Sequence, residues 1–290
     1  MINIQSLTFT YGIGQPAVLQ DINLHIDEGE YLSIIGSNGC GKTTLIRHFN
    51  ALLMPTAGEI LVNGHNTKDP KKHRAIRCIV GMIFQNPDNQ IVGMTVEEDV
   101  AFGPGNLGLP SAEIRRRVDW ALSTVGLSGL EKRHPHTLSG GQKQLLALAG
   151  LLVMEPKLIV LDEPTASLDP AGKESVLLMY KQLNQQGIGI IHVTHDMDEI
   201  ANANRILVMD KGRIVADGNK FDILRRVEWL KSLGLASPRI TELMWQLQQS
   251  GEAVEIDILS VAEAVAEIGS LLGRLRHPSY SPLPKAAGYE

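Results

Sequence analysis

The sequence has 290 residues, which is enough for one large domain or for one domain with an appendage. Apolar residues make up 43% of it, ample for a full core, and the formal net charge of −5 gives no general affinity for nucleic acid. No signal peptide is predicted, and no apolar run is long enough to span a bilayer. The two cysteines, Cys40 and Cys78, form no metal-ligand pattern, so a reducing, cytosolic compartment is expected.

Three strands are predicted at the N-terminus. Residues 2–9 and 18–26 alternate between apolar and polar side chains, as half-buried strands do. Because both precede the first glycine-rich loop, they predict an antiparallel sheet at the start of the chain. Residues 31–35 are then a short, mainly apolar run, which is typical of a buried strand.

A glycine-rich loop ends this third strand. Gly36, Gly41, Lys42 and Thr43 fit the pattern G-x-x-x-x-G-K-[ST]. Glycines let the backbone approach an anion closely, and the helix that follows presents its N-terminal N–H groups to phosphate. Lys42 would reach the β- and γ-phosphates and the Thr43 hydroxyl would ligate Mg²⁺. A plain glycine turn is the alternative, but it does not explain why every position is filled. The loop predicts a nucleoside triphosphate site.

The middle third of the chain is predicted to be a helical insert at about residues 86–156. A buried strand at 79–84 runs into a loop at Gln85–Gln90. The helix that follows is expected to be interrupted at Gly103–Gly105, and Ser111 is expected to cap the next one. The insert therefore separates two groups of sheet strands.

A second glycine pair precedes a helix at Leu138–Gln142, whose sequence is Leu-Ser-Gly-Gly-Gln. An ordinary helix start needs only one cap residue, so two glycines at this point favour a second anion-binding helix N-terminus.

The pattern of a parallel sheet returns after this helix. Residues 158–162, 189–194 and 205–210 are apolar, rich in β-branched side chains and separated by helical stretches, as in βαβ units. Lys211-Gly212 then predicts a hairpin into a closing edge strand at 213–216.

Polar side chains stand where these strands end. Asp162 and Glu163 close one strand, and in P-loop NTPases an aspartate at this place holds Mg²⁺ while a following carboxylate can polarise water. His195 follows the next strand, and Gln85 follows the strand at 79–84, where it would be a neutral ligand of Mg²⁺ or water. A strand-end carboxylate pair or a lone histidine is often purely structural. Open α/β sheets, however, bind ligands at the carboxyl ends of their strands.

The chain is predicted to divide into three parts. Residues 1–235 carry all the motifs above, and their last segment, 221–233, reads as one helix. Residues 236–272 read as a small separate module with two amphipathic helices, at 241–249 and 260–272. Residues 273–290 are rich in Pro, Ser and Gly and are expected to be disordered.

The second helix of the C-terminal module has an apolar face formed by Val261, Ala264, Val265 and Ile268. This face favours a role for the module in holding a dimer together.

Together these motifs resemble the nucleotide-binding subunit of an ATP-binding cassette (ABC) transporter over about residues 1–235. This chain has a match to each of the family's motifs: the Walker A loop at Gly36–Thr44, the Q-loop at Gln85, the signature at Leu138–Gln142, Walker B with its glutamate at Leu158–Glu163, the D-loop at Ser167–Asp169 and the switch histidine at His195. The resemblance implies a P-loop NTPase of the α/β class. Its parallel-sheet core would carry an N-terminal antiparallel β subdomain and a helical subdomain, plus the small C-terminal module.

The resemblance also implies a role for each site residue. ATP would contact Tyr11, Gly36, Ser37, Asn38, Gly39, Cys40, Gly41, Lys42, Thr43 and Thr44, and in a neighbouring cassette Ser139, Gly140, Gly141 and Gln142. Mg²⁺ would be held by Thr43, Gln85 and Asp162, and Glu163 and His195 would be catalytic. Tyr11 stands where the family stacks an aromatic ring on adenine, although core packing explains a tyrosine there equally well.

In this family two cassettes pair head to tail, so that the signature of one caps the ATP held by the other. Ser139 and Gly141 would therefore contact the γ-phosphate bound by a second ABC ATPase. The partner could be an identical chain or a paralogue, since both halves of a composite site are present.

Three further segments resemble the energy-coupling-factor importers, and in particular the cobalt-type ATPase. They are residues 84–90, 96–104 and 106–110. The resemblance implies a peripheral protein at the cytoplasmic face of the cell membrane, bound to a transmembrane coupling subunit and a substrate-capture membrane subunit. A groove formed by the Gln85–Gln90 loop and the following helices would receive a coupling helix. The cargo would be cobalt, nickel or a vitamin, and the ATPase sequence does not fix which.

Three other functions are alternatives to the energy-coupling-factor class. A cassette for another importer class stays open. A soluble ABC ATPase of DNA repair or translation would need a long coiled-coil insertion or two cassettes, and a nucleic-acid partner would need a basic surface. A P-loop kinase or small GTPase would lack the Ser139–Gln142 helix start.

Overall fold

The computed structural model describes the backbone of residues 1–276 and the side chains of residues 1–273. The chain forms two compact units, Met1–Lys220 and a second unit that begins at Phe221. The division comes fifteen residues before the boundary expected near residue 235, which stays a prediction.

Unit 1 contains ten strands. Their bounds are β1 Ile2–Phe9, β2 Leu19–Ile26, β3 Tyr31–Gly36, β4 Ala57–Val62, β5 His65–Asn66, β6 Val80–Ile83, β7 Leu158–Asp162, β8 Gly189–Val193, β9 Arg205–Asp210 and β10 Arg213–Asn219. Strands β1, β2, β4 and β5 form an antiparallel sheet in the order β2-β1-β4-β5, which confirms the predicted N-terminal sheet.

The second sheet has six strands in the order β10-β9-β3-β8-β7-β6. Strands β9, β3, β8, β7 and β6 run parallel, and β10 pairs antiparallel with β9 at the edge. The predicted parallel core is thus confirmed, and β6, β7, β8 and β3 end side by side at one edge of the sheet.

Helices connect the strands and form most of unit 2. Their bounds are α1 Lys42–Phe49, α2 His73–Ile79, α3 Val96–Asn106, α4 Ser111–Thr124, α5 Gly140–Leu152, α6 Pro170–Gln185, α7 Lys220–Leu224, α8 Val227–Ser232, α9 Arg239–Gln249 and α10 Val261–Arg276. Within the described residues, no helix is both long and apolar enough to cross a membrane.

The parallel strands of the six-stranded sheet are buried on both faces, and the edge strand β10 is largely exposed. In β7, Leu158 and Val160 pack into a core shared with the N-terminal sheet and α1. The alternate residues, Ile159 and Leu161, pack into a second core with α3 to α6. A strand covered on both sides needs apolar residues at every position, which is why its sequence reads as a continuous apolar run rather than an alternating one.

Two details of the helical insert differ from the sequence prediction. Gly103–Gly105 does not interrupt α3, which continues through the buried Pro104 to Asn106. Proline removes one backbone hydrogen bond of the helix because it has no N–H group. The hydrogen bonds of the next turn persist, and the N–H of Leu107 donates to the carbonyl of Gly103 at 3.2 Å. Ser111 is the first residue of α4 and not its cap, a position that Pro110 occupies without a side-chain hydrogen bond.

Unit 2 also differs from the sequence prediction. The single helix expected at 221–233 is two helices, α7 and α8, because Arg226 has a non-helical ψ of 54° at the start of α8. Helix α10 continues through Arg276, since Arg and Leu are good helix formers, so residues 273–276 of the segment expected to be disordered are helical. Positions 277–290 lie outside the described residues.

The apolar face predicted for α10 is split between two environments. Ala264 and Ile268 pack with Met244 in the core of unit 2, whereas Val261 and Val265 are about two-thirds exposed. Residues one turn apart can face different surroundings when a helix packs on a narrow stripe. The dimer-holding role of the module stays a prediction.

Gly58 and Gly64 allow a matched test of the N-terminal sheet. Both glycines have φ near +80°. A Cβ at Gly58 would overlap the carbonyl of Ser6, where the pairing of β1 with β4 is irregular. A Cβ at Gly64 would meet nothing within 4 Å. We expect Gly64→Ala to lower the free energy of unfolding by about 1 kcal/mol from backbone strain alone. Gly58→Ala should lower it by about 3 kcal/mol or more. Equal losses in urea denaturation would contradict the predicted clash.

Candidate functional site

The phosphate loop, residues 36–44, joins the central strand β3 to helix α1 at the carboxyl edge of the sheet. Gly36 has no room for a side chain, because a Cβ there would overlap the carbonyl of Met209 and approach Cys40 Sγ within 2.6 Å. Gly41 has φ of 110° immediately before the helix. These two glycines are therefore required by the local geometry, and the loop is followed by a helix N-terminus, as predicted from the sequence.

Lys42 lies inside this loop. Its side chain is buried, and its Nζ donates to the carbonyl of Gly36 at 2.7 Å and to that of Ser37 at 3.1 Å. A cavity of about 350 Å³ opens beside it. The cavity is lined by Val18, Asn38, Gly39, Gly41, Lys42, Thr43, Thr44 and Glu163. A buried ammonium group, a helix N-terminus and an adjoining cavity together suit a polyanionic ligand.

Thr43 and Asp162 meet at the end of β7. The Thr43 hydroxyl donates to Asp162 Oδ1 at 3.1 Å. Burial raises the pKa of Asp162, the bond from Thr43 lowers it, and the neighbouring charge of Glu163 raises it again, so the net pKa is above the ordinary value.

Mg²⁺ suits this pair of oxygen ligands. Within the described residues, no group of three or more His, Cys, Asp or Glu side chains could hold a metal by itself. Mg²⁺ does not need such a cage, because proteins bind it through one or two carboxylates together with substrate phosphates and water. The hydroxyl of Thr43 and the carboxylate of Asp162 fit that requirement.

Glu163 is the residue on which the strand ends converge. Its backbone N–H donates to the carbonyl of Val193 at 2.9 Å, and its φ of 50° is rare for a residue other than glycine. Its Oε2 accepts a hydrogen bond from Gln85 Nε2 at 3.1 Å and lies 3.5 Å from His195 Nδ1. The structure therefore brings Gln85, Glu163 and His195 together, although in the sequence they are spread over more than a hundred positions.

Tyr11 lies at the rim of the phosphate loop and not in the core. Its ring is 54% exposed and packs edge-on against Phe9, with the ring centroids 4.9 Å apart. Its hydroxyl lies 3.0 Å from Thr44 Oγ1. An exposed aromatic ring tethered to the loop could stack on a base, so the adenine contact stays a prediction.

Ser139 and Gln142 have a structural role that the sequence analysis missed. Ser139 Oγ accepts from Gln142 N at 3.3 Å, and Gln142 Oε1 accepts from Ser139 N at 3.0 Å, which is a complete capping box. The expectation that an ordinary helix start needs one cap residue was therefore wrong. The spacing S-x-x-Q could have revealed this role.

Gly141 packs closely against the start of the next helix. A Cβ there would lie 3.2 Å from the Cα of Gly172, so α5 and α6 begin side by side. Ser139 and Gly140 are exposed, and among the described residues that line the phosphate-loop cavity none comes from Ser139–Gln142. One chain thus presents two separate glycine-led helix starts.

A buried carboxylate beside the site was also missed. Glu199 begins a 3₁₀ turn, Glu199–Asn202, and contacts side chains on both sides of the catalytic candidates. An acidic residue before Ile200 and Ala201 carries no sequence signal of burial, because only the fold shows which donors surround it.

The chain matches the family model described as ABC transporter over residues 19–166. It is 50% identical over 270 residues to the cobalt import ATP-binding protein CbiO of Syntrophus aciditrophicus, covering 93% of this chain and 96% of that protein. It is 50% identical over 269 residues to the energy-coupling factor transporter ATP-binding protein EcfA1 of Caldanaerobacter subterraneus, covering 91% of this chain and 97% of that protein.

Its structure is similar to a solved dimeric structure of a post-hydrolysis state of the ATP-binding cassette MJ0796 bound to ADP and Pi. The TM-score is 0.67 at 31% sequence identity, and the match covers 76% of this chain and 98% of that chain.

Asp162→Asn should stabilise the nucleotide-free chain. Because the folded state raises the pKa of Asp162, ionised Asp162 opposes folding at every pH above that raised pKa. Asparagine removes the charge and can still accept the bond from Thr43. We expect a higher free energy of unfolding at about pH 7, and a gain that shrinks on lowering the pH and vanishes below the ordinary aspartate pKa of about 3.9.

The matched control is Asp119→Asn, at an exposed side chain 3.9 Å from Arg115, which should leave stability unchanged. A loss of stability in Asp162→Asn at neutral pH would contradict the direction of the pKa change.

Proposed function

The chain belongs to the ABC transporter family, and from this premise we propose that it is the ATP-hydrolysing subunit of an energy-coupling-factor-type importer of a transition-metal ion or a vitamin. The observation that carries the proposal is the position of Glu163. Its side chain lines the phosphate-loop cavity and at the same time contacts Gln85 and lies beside His195. The names of the two relatives support the importer class.

ATP binding is assigned to the phosphate loop. The N–H groups at the start of α1 and the ammonium of Lys42 bind the phosphates, with Gly36 and Gly41 keeping the backbone close to them. Thr43, Asp162 and Gln85 would hold Mg²⁺, which would neutralise charge on the phosphates. Tyr11 supports the adenine ring.

Hydrolysis is assigned to Glu163, with His195 beside it. A carboxylate at the edge of the phosphate cavity can accept a proton from an attacking water and orient its lone pair. The amide of Gln85 donates to the same carboxylate oxygen that lies near His195, so both neighbours orient Glu163. This arrangement supports a positioned water at the γ-phosphate.

The working form is proposed to be a head-to-tail pair of cassettes. Ser139 and Gly140 are exposed, and the capping box uses the N–H of Gln142 but not those of Gly140 and Gly141 at the start of α5. Such a helix start can cap a triphosphate held by a second chain. The dimeric cassette bound to ADP and Pi supports this pairing.

A membrane subunit is proposed to dock beside the Gln85–Gln90 loop. Val92, Met94 and Phe102 expose large apolar side chains there, and a groove of about 340 Å³ lies between α3 and α4. Exposed apolar side chains beside a groove fit an amphipathic helix from a partner. Docked in this way, the chain would be a peripheral protein at the cytoplasmic face of the membrane, together with a coupling subunit and a substrate-capture subunit.

Purification of the native complex tests the importer class. We expect the tagged chain to bring down a polytopic membrane scaffold, a small substrate-capture membrane protein and a second ABC ATPase. Periplasmic binding proteins in their place would indicate another importer class, and the absence of any membrane protein would favour a non-transport ATPase.

Glu163→Gln tests the catalytic assignment. The change keeps the size of the side chain but removes the base, so ATP affinity should stay within about two-fold while turnover falls about 100-fold or more. The variant should also elute as a dimer when ATP is present, because the nucleotide that bridges two chains is no longer hydrolysed. Titration with ATP, a phosphate-release assay and a sizing column measure the three effects.

Lys42→Ala is the companion variant, and it should lose most ATP affinity because the ammonium inside the loop is removed. Unchanged turnover in Glu163→Gln would remove this residue from the mechanism. Equal ATP affinity in Lys42→Ala would contradict the phosphate role of the loop.

A further inference from the structure

Glu199 is a fully buried carboxylate, 2% exposed, that contacts four side chains. Its Oε1 accepts a hydrogen bond from Thr165 Oγ1 at 2.5 Å and lies 2.9 Å from Lys173 Nζ. Its Oε2 accepts from Thr194 Oγ1 at 2.6 Å and lies 3.2 Å from His192 Nε2. Each oxygen thus has two close partners, which offsets much of the free energy lost when a carboxylate leaves water.

The two threonines belong to the loops that carry the proposed catalytic residues. Thr165 follows Glu163 by two positions, and Thr194 immediately precedes His195. The first loop leaves β7 and the second leaves β8, so a single carboxylate joins the ends of two neighbouring strands. Because Glu163 and His195 themselves lie in those loops, their separation depends on how Thr165 and Thr194 are held.

The loop around His195 is fixed on both sides. The hydroxyl of Thr194 donates to Glu199 and also accepts the backbone N–H of Asp196 at 3.0 Å, which closes a tight turn around the histidine. The carboxylate of Asp196 pairs with Lys173, which also contacts Glu199. Glu199 therefore anchors the loop both directly and through Lys173.

Lys173 adds a third element, helix α6. This helix begins directly after Asp169, whose side chain caps it by accepting from Gly172 N at 2.8 Å. Through Lys173, Glu199 ties the start of α6 to both catalytic loops. One buried carboxylate consequently connects three segments: the loop after β7, the loop after β8 and the start of α6.

A charged acceptor suits this position better than a neutral one. Burial by itself raises the pKa of Glu199. His192 and the hydroxyls of Thr165 and Thr194 together lower it by more than burial raises it, so the net pKa lies below its ordinary value. The group is therefore an acceptor only. A glutamine amide would present two N–H donors to Lys173 or to a threonine hydroxyl that already donates.

We propose that Glu199 is a positioning residue for ATP hydrolysis. It acts through Thr165 and Thr194 to keep Glu163 and His195 at fixed positions relative to each other and to α6. The inference rests on the catalytic roles proposed above for Glu163 and His195. Glu199 does not line the phosphate-loop cavity, so it shapes the hydrolytic step and not the binding of ATP.

Steady-state hydrolysis by the full chain tests the role, with Glu199→Gln compared to Glu174→Gln. Glu174 is exposed on α6 and carries the same change of charge. Glu199→Gln should lower kcat about ten-fold or more, since small displacements of reacting groups are costly, while KM for ATP and directly titrated ATP affinity stay within about two-fold. Glu174→Gln should match the wild type. A kcat within two-fold of wild type, or a parallel loss of kcat and affinity, would overturn the proposal.

Thr165 supplies a second pair of variants that keep the buried charge. Thr165→Val removes the hydroxyl and Thr165→Ser retains it, so the first should lower kcat and the second should restore it. If Glu199 acts through Thr165, the two changes disturb the same contact. The fold-decrease in kcat of the double variant Glu199→Gln, Thr165→Val should then be much smaller than the product of the fold-decreases of the two single variants. Fully independent losses, or equal kcat in the valine and serine variants, would contradict the inference.

Hydrogen exchange separates this inference from the proposed function, because it needs no hydrolysis. Amide exchange at residues 163–168 and 194–196 should be faster in Glu199→Gln than in Glu174→Gln. The reason is that the N–H of Asp196 donates to the Thr194 hydroxyl and the N–H of Leu168 donates to the Thr165 carbonyl. A wild-type chain that binds ATP without hydrolysing it would overturn the proposed function, and faster exchange in Glu199→Gln would then still show that Glu199 holds the two loops. Unchanged exchange in both segments would overturn the positioning role alone.

Discussion

The site depends on the order of strands in the parallel sheet. Strands β6, β7, β8 and β3 are neighbours and point the same way, so the residues that follow them meet at a single edge. That arrangement brings Gln85, Asp162, Glu163 and His195 to the phosphate loop. No local interaction could do this, because the connections between these strands are long. One hydrophobic core on each face of the sheet keeps the strand ends in place, and the side chains of the site are fixed by those strand ends.

The parts of the fold that follow local rules could be predicted from the sequence. Both sheets, the phosphate loop and most helices follow from periodicity and glycine placement. Other features depend on tertiary surroundings. The burial of Pro104 inside α3, the outward position of Val261 and the burial of Glu199 each require knowledge of what packs nearby. The proximity of Glu163 to Gln85 likewise requires the strand order, although the motif resemblance had already grouped these residues. The capping role of Ser139 was local and was missed all the same.

The site is built at some expense of stability. Asp162 ionises less readily than in water, Glu163 adopts a backbone conformation that side chains disfavour, and Lys42 is buried among carbonyl groups. The first two features cost stability in the folded chain, whereas Lys42 donates to two of those carbonyl groups, which offsets part of the cost of burying its charge. Glu199 is likewise buried with close partners from the chain itself. The site thus combines residues in unfavourable states, Asp162 and Glu163, with buried charges that are hydrogen-bonded, Lys42 and Glu199.

The glycine contact between α5 and α6 has a mechanical consequence. Gly141 and Gly172 let the starts of α5 and α6 approach each other with no side chain between them. A side chain at Gly141 would press on Gly172, the residue immediately before Lys173. Lys173 is paired with Asp196, the residue after His195. The spacing between two helix starts is thus linked, through one lysine, to the residue that follows His195.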